Sequence, residues 1–264
     1  MKHPLIFFAT ALILASCGVM TPKQDKQAKT PEDNLFSRQD EYLSAIDRLS
    51  IPAACLEVDA MISSVQDSVL RDSVAVRSYR HFRNSKVMGS ENVAVHIYDA
   101  WFAPYKTLFS SVDEFEEAGL FAFVNRQSLI GSRVPALTLS DIEGNDVTFP
   151  FCNGRKSVIY FYSTECPKCL LTSLELKKFI LSEHPDVDLF AIYTGDDIAA
   201  WNTYVAEKLN FSSSSASVCH LRGGDSDFVT VYGVVQTPRL FLLDESGVVV
   251  GRHLDVDTLS KLLH

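Results

Sequence analysis

The segment from Val158 to Cys169 constrains the fold of this chain more than any other. Residues 158–162 form an unbroken apolar run with β-branched and aromatic members, which predicts a buried strand. The run leads into Cys166-Pro167-Lys168-Cys169, after which leucine, phenylalanine and isoleucine recur at helical spacing. Strand, Cys-x-x-Cys and helix in this order favour a redox centre, because the helix N-terminus stabilises the thiolate of the first cysteine.

Two other interpretations of the Cys-x-x-Cys motif are weaker. A purely structural disulfide would close a loop of about four residues and contribute only about 2 kcal/mol on the chain-entropy model. A zinc site would need a second ligand pair. The remaining candidates supply neither a second Cys-x-x-Cys nor a Cys-x-x-His: they are Cys55, Cys152, Cys219 and His220.

The other cysteines past the N-terminal region form an odd set. If Cys166 and Cys169 pair with each other, then Cys55, Cys152 and Cys219 are left over. A free buried thiol is the commonest fate of such residues. A regulatory bridge between Cys152 and Cys219 is the alternative that the sequence leaves open.

The N-terminus predicts export. Lys2 and His3 precede an apolar stretch at residues 5–15, which is too short to span a membrane and is typical of a signal peptide. The stretch ends in Leu14-Ala15-Ser16-Cys17-Gly18, which resembles the lipobox of bacterial lipoproteins. The resemblance implies that Cys17 becomes the lipidated first residue, and Gly18 after it indicates the outer membrane. An ordinary secretory leader is the alternative, and in either case disulfides can persist at the destination.

Length and charge suggest how the rest is organised. A chain of 264 residues suggests two domains. A net charge of −9 argues against nucleic acid as a partner, and only the lipid anchor is expected to contact a membrane. We expect a signal peptide and lipobox at residues 1–17, a flexible tether at 18–33, a mostly α-helical domain at 34–134 and a second domain at 135–264. No cofactor is expected.

The region 34–134 has helical periodicity. One face of a helix is predicted from the spacing of Val58, Met61, Ile62, Val65 and Val69. Ser90 is a candidate N-cap of the next helix, and a further helix is predicted at residues 113–128. Residues 77–83 carry a basic and aromatic cluster. It fits either a substrate-docking patch or, more commonly, a solvated helix face.

The region 135–264 alternates strands and helices. We predict strands at residues 136–139, 147–149, 158–162 and 187–193, an edge strand at 218–221, and a hairpin of residues 239–243 and 248–251. Helices are predicted after Cys166, after Asp197, at residues 225–232 and at 256–263. A βαβ half joined to a ββα half gives an α/β thioredoxin-like fold, with a central mixed sheet flanked by helices.

Residues 135–264 resemble the thioredoxin-fold thiol–disulfide oxidoreductases of the TlpA and ResA kind. The similarity rests on Pro135-Ala136-Leu137-Thr138-Leu139 before an Asp-x-x-Gly turn, the strand into Cys-x-x-Cys, Thr237-Pro238, and the run at residues 241–247. The preceding Ser90-Glu91-Asn92-Val93-Ala94 is similar to the N-terminal domain that accompanies such modules in secreted lipoproteins.

The resemblance implies an enzyme that exchanges disulfides. Cys166 would be the exposed nucleophile and Cys169 the buried resolving thiol. Pro238 would be a cis-proline, and Thr237 would present its backbone to an extended substrate segment. The implied partners are protein thiols and disulfides of the cell envelope and a membrane-borne redox partner. A redox-silent binding or assembly lipoprotein with a degenerate thioredoxin module is the alternative.

Departures from the family pattern leave the redox direction open. Glu165 stands where many relatives carry Trp, and its charge should raise the pKa of Cys166, whereas Lys168 and the helix dipole should lower it. Tyr160 lies six residues before the nucleophile, where thioredoxins bury a carboxylic acid that shuttles protons. The proton acceptor for Cys169 is therefore missing or supplied elsewhere.

Overall fold

The computed structural model describes residues 31–105, 109, 111–150, 154–182, 187–210, 217–224 and 226–264. The predicted signal peptide and lipobox, with Cys17, lie outside these residues, and so does Cys152. Within the described ranges, no helix combines the length and apolar character needed to cross a membrane.

The N-terminal half is helical, as the sequence predicted. Its α-helices are α1 (Pro31–Ile46), α2 (Ile51–Ser63), α3 (Ser68–Asn84), α4 (Ser90–Ile97) and α5 (Val112–Asn125). A π-helical segment, Tyr98–Phe102, extends α4, and a 3-10 turn, Arg126–Ser128, follows α5. Helix α1 begins at Pro31, inside the segment predicted as a tether, since proline presets the backbone angle of a first helical turn.

Two details of the helical prediction are wrong. The stripe predicted from Val58 to Val69 spans two helices, because α2 ends at Ser63 and Asp67 caps α3 by accepting the Leu70 N–H. Val58 is fully buried, whereas Val69 is 75% exposed.

Ser90 does not cap α4. It is the first helical residue, and the residue before it is Gly89, with φ of +92° and no side chain to cap the helix. The left-handed backbone that ends the preceding loop requires glycine at this position.

The basic cluster on α3 is a solvated face that is tied to neighbouring helices. Its aromatic members, Tyr79 and Phe82, are buried in the helical core. Its basic side chains each contact an acid from another helix or from the loop after α1: Arg77 with Asp40, Arg80 with Glu114, His81 with Asp47 and Arg83 with Glu117. The cluster therefore joins α3 to its neighbours, and the structure does not favour the docking-patch interpretation.

The C-terminal half is built on one seven-stranded mixed sheet. Its strands are β1 (Leu137–Asp141), β2 (Asp146–Phe149), β3 (Ser157–Tyr162), β4 (Asp188–Tyr193), β5 (Val218–Arg222), β6 (Arg239–Leu243) and β7 (Val249–Arg252). Its helices are α6 (Pro167–Ser182), α7 (Ile198–Glu207), α8 (Phe228–Tyr232) and α9 (Val256–Leu263). The strand order is β2-β1-β5-β4-β3-β6-β7, with β3, β4 and β5 parallel to one another.

The edge position predicted for residues 218–221 is wrong. Strand β5 lies inside the sheet, because the β1–β2 hairpin adds to its outer side through antiparallel pairing of β1. The edge strands are β2 and β7. Nothing local in the β5 sequence reports this long-range pairing.

Strand β3, which leads into the Cys-x-x-Cys motif, lies between two packed layers. All six of its residues are buried. On one face, Tyr160 and Tyr162 pack in a cluster with residues of α6, α7 and α9. On the other face, Ile159 and Phe161 pack with residues of α8, which itself contacts α5 of the helical half. The carboxyl end of β3 therefore delivers the Cys-x-x-Cys motif from a rigid core.

Candidate redox site

Cys166 lies immediately before the first residue of α6. The Leu170 N–H donates to the Cys166 carbonyl at 3.2 Å, so the helix is already formed at this residue. Pro167 suits the first helical position because its missing N–H would have no partner there. The Cys166 side chain is partly exposed, and its sulfur accepts the Cys169 N–H at 3.2 Å. The start of α6 thus aims a backbone donor at the sulfur.

The two thiols of the motif differ in environment. Both are free thiols in the structure, and Cys169 is fully buried. The pKa of Cys169 is raised to about 11, mainly by burial and secondly by its hydrogen bond to the Cys166 thiol. Partial burial raises the pKa of Cys166 as well, but hydrogen bonds from the thiol and the N–H of Cys169 outweigh it. The Thr237 side chain and the Lys168 N–H add to this effect, so the pKa of Cys166 lies below its ordinary value.

The Thr237–Pro238 segment faces Cys166. Its peptide bond is cis, as the resemblance implied. The Cys166 thiol donates to the Thr237 carbonyl across 3.6 Å. The segment leads directly into β6, which pairs with β3, so one sheet carries both sides of the site. The predicted contact of Thr237 with a substrate backbone stays a prediction.

Tyr160 belongs to a chain of three buried hydroxyl groups beneath Cys169. The Tyr160 hydroxyl donates to the Cys169 carbonyl at 2.8 Å and lies 3.0 Å from Ser173 Oγ, which lies 3.0 Å from the Tyr204 hydroxyl. Burial raises the pKa of Tyr160 and of Tyr204, so both stay neutral at physiological pH. The position of the family's buried acid is therefore filled by groups that do not ionise.

Ser173 and Tyr204 were not predicted from the sequence. Ser173 follows Cys169 by four residues on the buried face of α6, where a fully buried polar residue needs a partner. That signal could have identified Ser173, but its contact with a tyrosine of α7 depends on tertiary packing.

The charged neighbours Glu165 and Lys168 are both exposed. The largest causes of the lowered pKa of Cys166 include the Lys168 backbone N–H but neither charged side chain. Electrostatic tuning by these two side chains stays a prediction.

The other described cysteines have no place in this site. Cys55 lies on α2 and Cys219 on β5, and both are partly buried free thiols. Burial raises the pKa of Cys55 to about 11 and also raises that of Cys219, so neither is an activated thiol. The bridge between Cys152 and Cys219 stays a prediction, since Cys152 lies outside the described residues.

A mixed sheet in this strand order, with a Cys-x-x-Cys pair at a helix start opposite a cis-proline, defines a thioredoxin-fold protein with a dithiol site. The model of the Redoxin family matches residues 129–262. The chain belongs to the Redoxin family, which confirms the fold and the family resemblance that the sequence predicted.

One of the similar solved structures shows the same fold. A thioredoxin-like protein from Bacteroides caccae is 14% identical, with a TM-score of 0.64 over 88% of this chain and 84% of that chain, so the similarity extends into the helical half. The thioredoxin domain of a thiol-disulfide oxidoreductase from Bacteroides vulgatus is 23% identical, with a TM-score of 0.43 over 51% of this chain and 98% of that chain. A thiol:disulfide interchange protein from a Bacteroides species is 22% identical, with a TM-score of 0.42 over 52% of this chain and 89% of that chain. No curated protein sequence matches significantly.

Proposed function

We propose that this protein is an exported thiol–disulfide oxidoreductase that reduces disulfides of cell-envelope proteins. The observation that carries the proposal is the asymmetry of the two thiols. Cys166 is partly exposed and has a lowered pKa, whereas Cys169 is buried and has a raised pKa. Thiolate character and access make Cys166 the attacking group, and burial reserves Cys169 for the second step.

The proposed reaction has two steps. The Cys166 thiolate attacks one sulfur of a substrate disulfide, forms a mixed disulfide and releases the other substrate sulfur as a thiolate. Cys169 then loses its proton and attacks Cys166 Sγ, which releases the second substrate sulfur and leaves a Cys166–Cys169 disulfide. Two electrons pass from the enzyme dithiol to the substrate, and the protons of the dithiol end on the substrate thiols. A membrane-borne thiol donor would restore the dithiol.

The proposed location follows from the leader. The lipobox-like sequence around Cys17 supports a lipid anchor, and Gly18 supports an outer-membrane position facing the periplasm. A disulfide cycle is compatible with such an oxidising compartment.

The test of the chemistry uses two variants. Cys169→Ser should accumulate a mixed disulfide with the substrate, since the resolving thiol is missing, whereas Cys166→Ser should abolish turnover while folding is retained. Unchanged behaviour of Cys166→Ser would overturn the proposal in favour of the redox-silent binding module.

The direction of the reaction is tested separately by equilibrating the Cys166–Cys169 pair against a glutathione series. A potential around −270 mV, at the thioredoxin end of the scale, is expected of a reductase. A value near about −120 mV would identify an oxidant and overturn the reductive direction.

A further inference from the structure

Helix α6 presents apolar side chains on two faces. Its buried face carries Cys169, Leu176 and Ile180. A second row stands in solvent: Leu170 is 36% exposed, Leu171 61% and Leu174 48%. We refer to these three residues as the leucine stripe. A surface helix normally turns one apolar stripe towards the core and polar residues outwards, so the second stripe is unexpected. Scattered exposed leucines are ordinary, whereas these three lie next to one another on about one turn of the helix.

The leucine stripe lies beside the nucleophile. From Cys166 to Leu174 the helix advances by only about 12 Å. A disulfide partner must bring its sulfur to bonding distance of Cys166 Sγ. A specific interface covers about 800 Å² on each partner, which corresponds to a disc of about 16 Å radius. An interface of this size that is centred on Cys166 therefore extends far enough along α6 to reach the leucine stripe.

A further exposed apolar side chain lies in the segment that faces Cys166. Val235 is 67% exposed and precedes by two residues Thr237, whose carbonyl lies 3.6 Å from Cys166 Sγ. Exposed apolar side chains thus occur both on α6 and in the segment that faces Cys166.

Charge around the leucine stripe is nearly balanced. The charged side chains nearest to it along the chain are two acids and three bases: Glu165, Lys168, Glu175, Lys177, which is partly exposed, and Lys178. Such a mixed rim gives only a weak electrostatic preference for an acidic or a basic partner, so the main selective contact available is apolar burial.

We propose that the leucine stripe is the docking surface for protein substrates whose disulfide-bonded cysteine is flanked by apolar side chains. The proposal rests on the proposed function. A second copy of this chain is the less fitting occupant, because a stable dimer across the stripe would cover the surroundings of Cys166, which a substrate must reach.

The experiment compares Leu171→Gln/Leu174→Gln with the matched variant Leu56→Gln/Leu120→Gln. The control leucines are 70% and 61% exposed and lie on α2 and α5, in the helical half. Glutamine has a helix propensity close to that of leucine, so both variants should fold. Three probes are reduced in single turnover by the protein in its dithiol form: glutathione disulfide and two peptides with one cysteine each, joined to glutathione by a disulfide. The cysteine is flanked by valine and leucine in one peptide and by serine and asparagine in the other.

In each reaction the enzyme dithiol becomes a disulfide, and its two electrons and two protons convert the probe into two thiols. We expect the second-order rate constant for the apolar peptide to fall about tenfold in the stripe variant, as buried leucine contacts are lost. The rates for the other probes, and all rates of the control variant, should stay within about twofold of wild type, since exposed sites away from the contact change little.

Two results would overturn the docking surface alone. One is normal reduction by wild type with no selective loss for the apolar peptide. The other is a wild-type dimer in sedimentation experiments that the stripe substitutions dissociate, which would assign the surface to a second copy. Failure of wild type to reduce any probe would instead overturn the proposed function, and the docking proposal with it.

Discussion

Cys166 and Cys169 are three residues apart, yet their surroundings move their pKa values in opposite directions. The difference arises from depth and from backbone geometry. Cys166 receives the Cys169 N–H at the start of α6, whereas Cys169 lies fully inside the core. One helical turn is therefore enough to separate a partly exposed thiol with a lowered pKa from a buried thiol with a raised pKa.

Alkylation of the reduced protein tests this separation. Iodoacetamide should modify Cys166 first, and the midpoint of its rate against pH should lie below the midpoint for the cysteines of the unfolded protein. Peptide mass mapping after timed quenching identifies the modified residue, and the unfolded protein in denaturant is the control. Modification of Cys169 before Cys166 would contradict the assignment of Cys166 as the more reactive thiol. So would a pH midpoint of the Cys166 alkylation rate above that of the unfolded chain.

A second residue-scale prediction concerns His220 on β5. Burial lowers the pKa of His220 to about 4, whereas an unfolded histidine titrates near 6.5. Between these two pH values the unfolded chain binds more protons than the folded chain. The contribution of His220 to the free energy of unfolding is therefore most favourable above pH 6.5 and declines as the pH falls towards 4. We expect His220→Gln to reduce the slope of the unfolding free energy between pH 5 and 6.5 by about 1 kcal/mol per pH unit.

Urea unfolding of wild type and His220→Gln at several pH values measures these slopes. Equal slopes for the two proteins would show that His220 titrates normally in the folded state.

At the scale of elements, the junction before α4 depends on Gly89. A Cβ atom at this residue would lie 2.8 Å from Cδ1 of Ile51, and the φ of +92° is unfavourable for any other residue. Gly131 has a similar φ of +87°, but a Cβ there meets nothing within 4 Å. Substitution of Gly131 therefore adds backbone strain alone, whereas substitution of Gly89 adds backbone strain and a close contact with Ile51.

Gly89→Ala should lower the free energy of unfolding by about 2–3 kcal/mol and Gly131→Ala by about 1–2 kcal/mol. Denaturant titration of both variants measures the difference. A larger loss in Gly131→Ala would show that contact with Ile51 does not limit the junction.

Elements whose signals are local could be predicted from the sequence. The β3 strand, the Cys-x-x-Cys motif and α6 were all predicted, because periodicity and motif agree within 25 residues. The interior position of β5 could not be predicted, since it depends on pairing with β1, about 80 residues earlier in the chain. The hydroxyl chain was only half predicted: Tyr160 was identified by its position, but its partners Ser173 and Tyr204 meet through packing of α6 on α7.

At the scale of the whole molecule, buried polar contacts join the helical half to the sheet. Arg252 on β7 is 4% exposed and donates to Oδ1 of Asn125, the last residue of α5, and to the Tyr232 carbonyl. Glu91 on α4 lies 3.0 Å from Nδ1 of His253. The two halves are therefore joined by directional contacts that are sensitive to the loss of one partner.

Asn125→Ala should lower the free energy of unfolding by about 2 kcal/mol, because it removes an acceptor from a buried guanidinium. The neighbouring Arg126→Ala is the control. Arg126 forms an exposed ion pair with Asp99, and its loss should change stability by less than about 1 kcal/mol. Equal effects of the two substitutions in denaturant unfolding would show that the junction contributes little to the stability of the whole chain.

The neutral hydroxyl groups beneath Cys169 also affect how the reduction potential of the dithiol changes with pH. Tyr160 and Tyr204 hold their protons throughout the physiological range, whereas the pKa of Cys166 is lowered towards that range. Reduction then consumes two protons per two electrons below the pKa of Cys166 and one above it. The midpoint potential should fall by about 59 mV per pH unit and then by about 30 mV, with a single bend. A potential–pH titration that shows a second bend near neutrality would reveal another ionising group coupled to the pair.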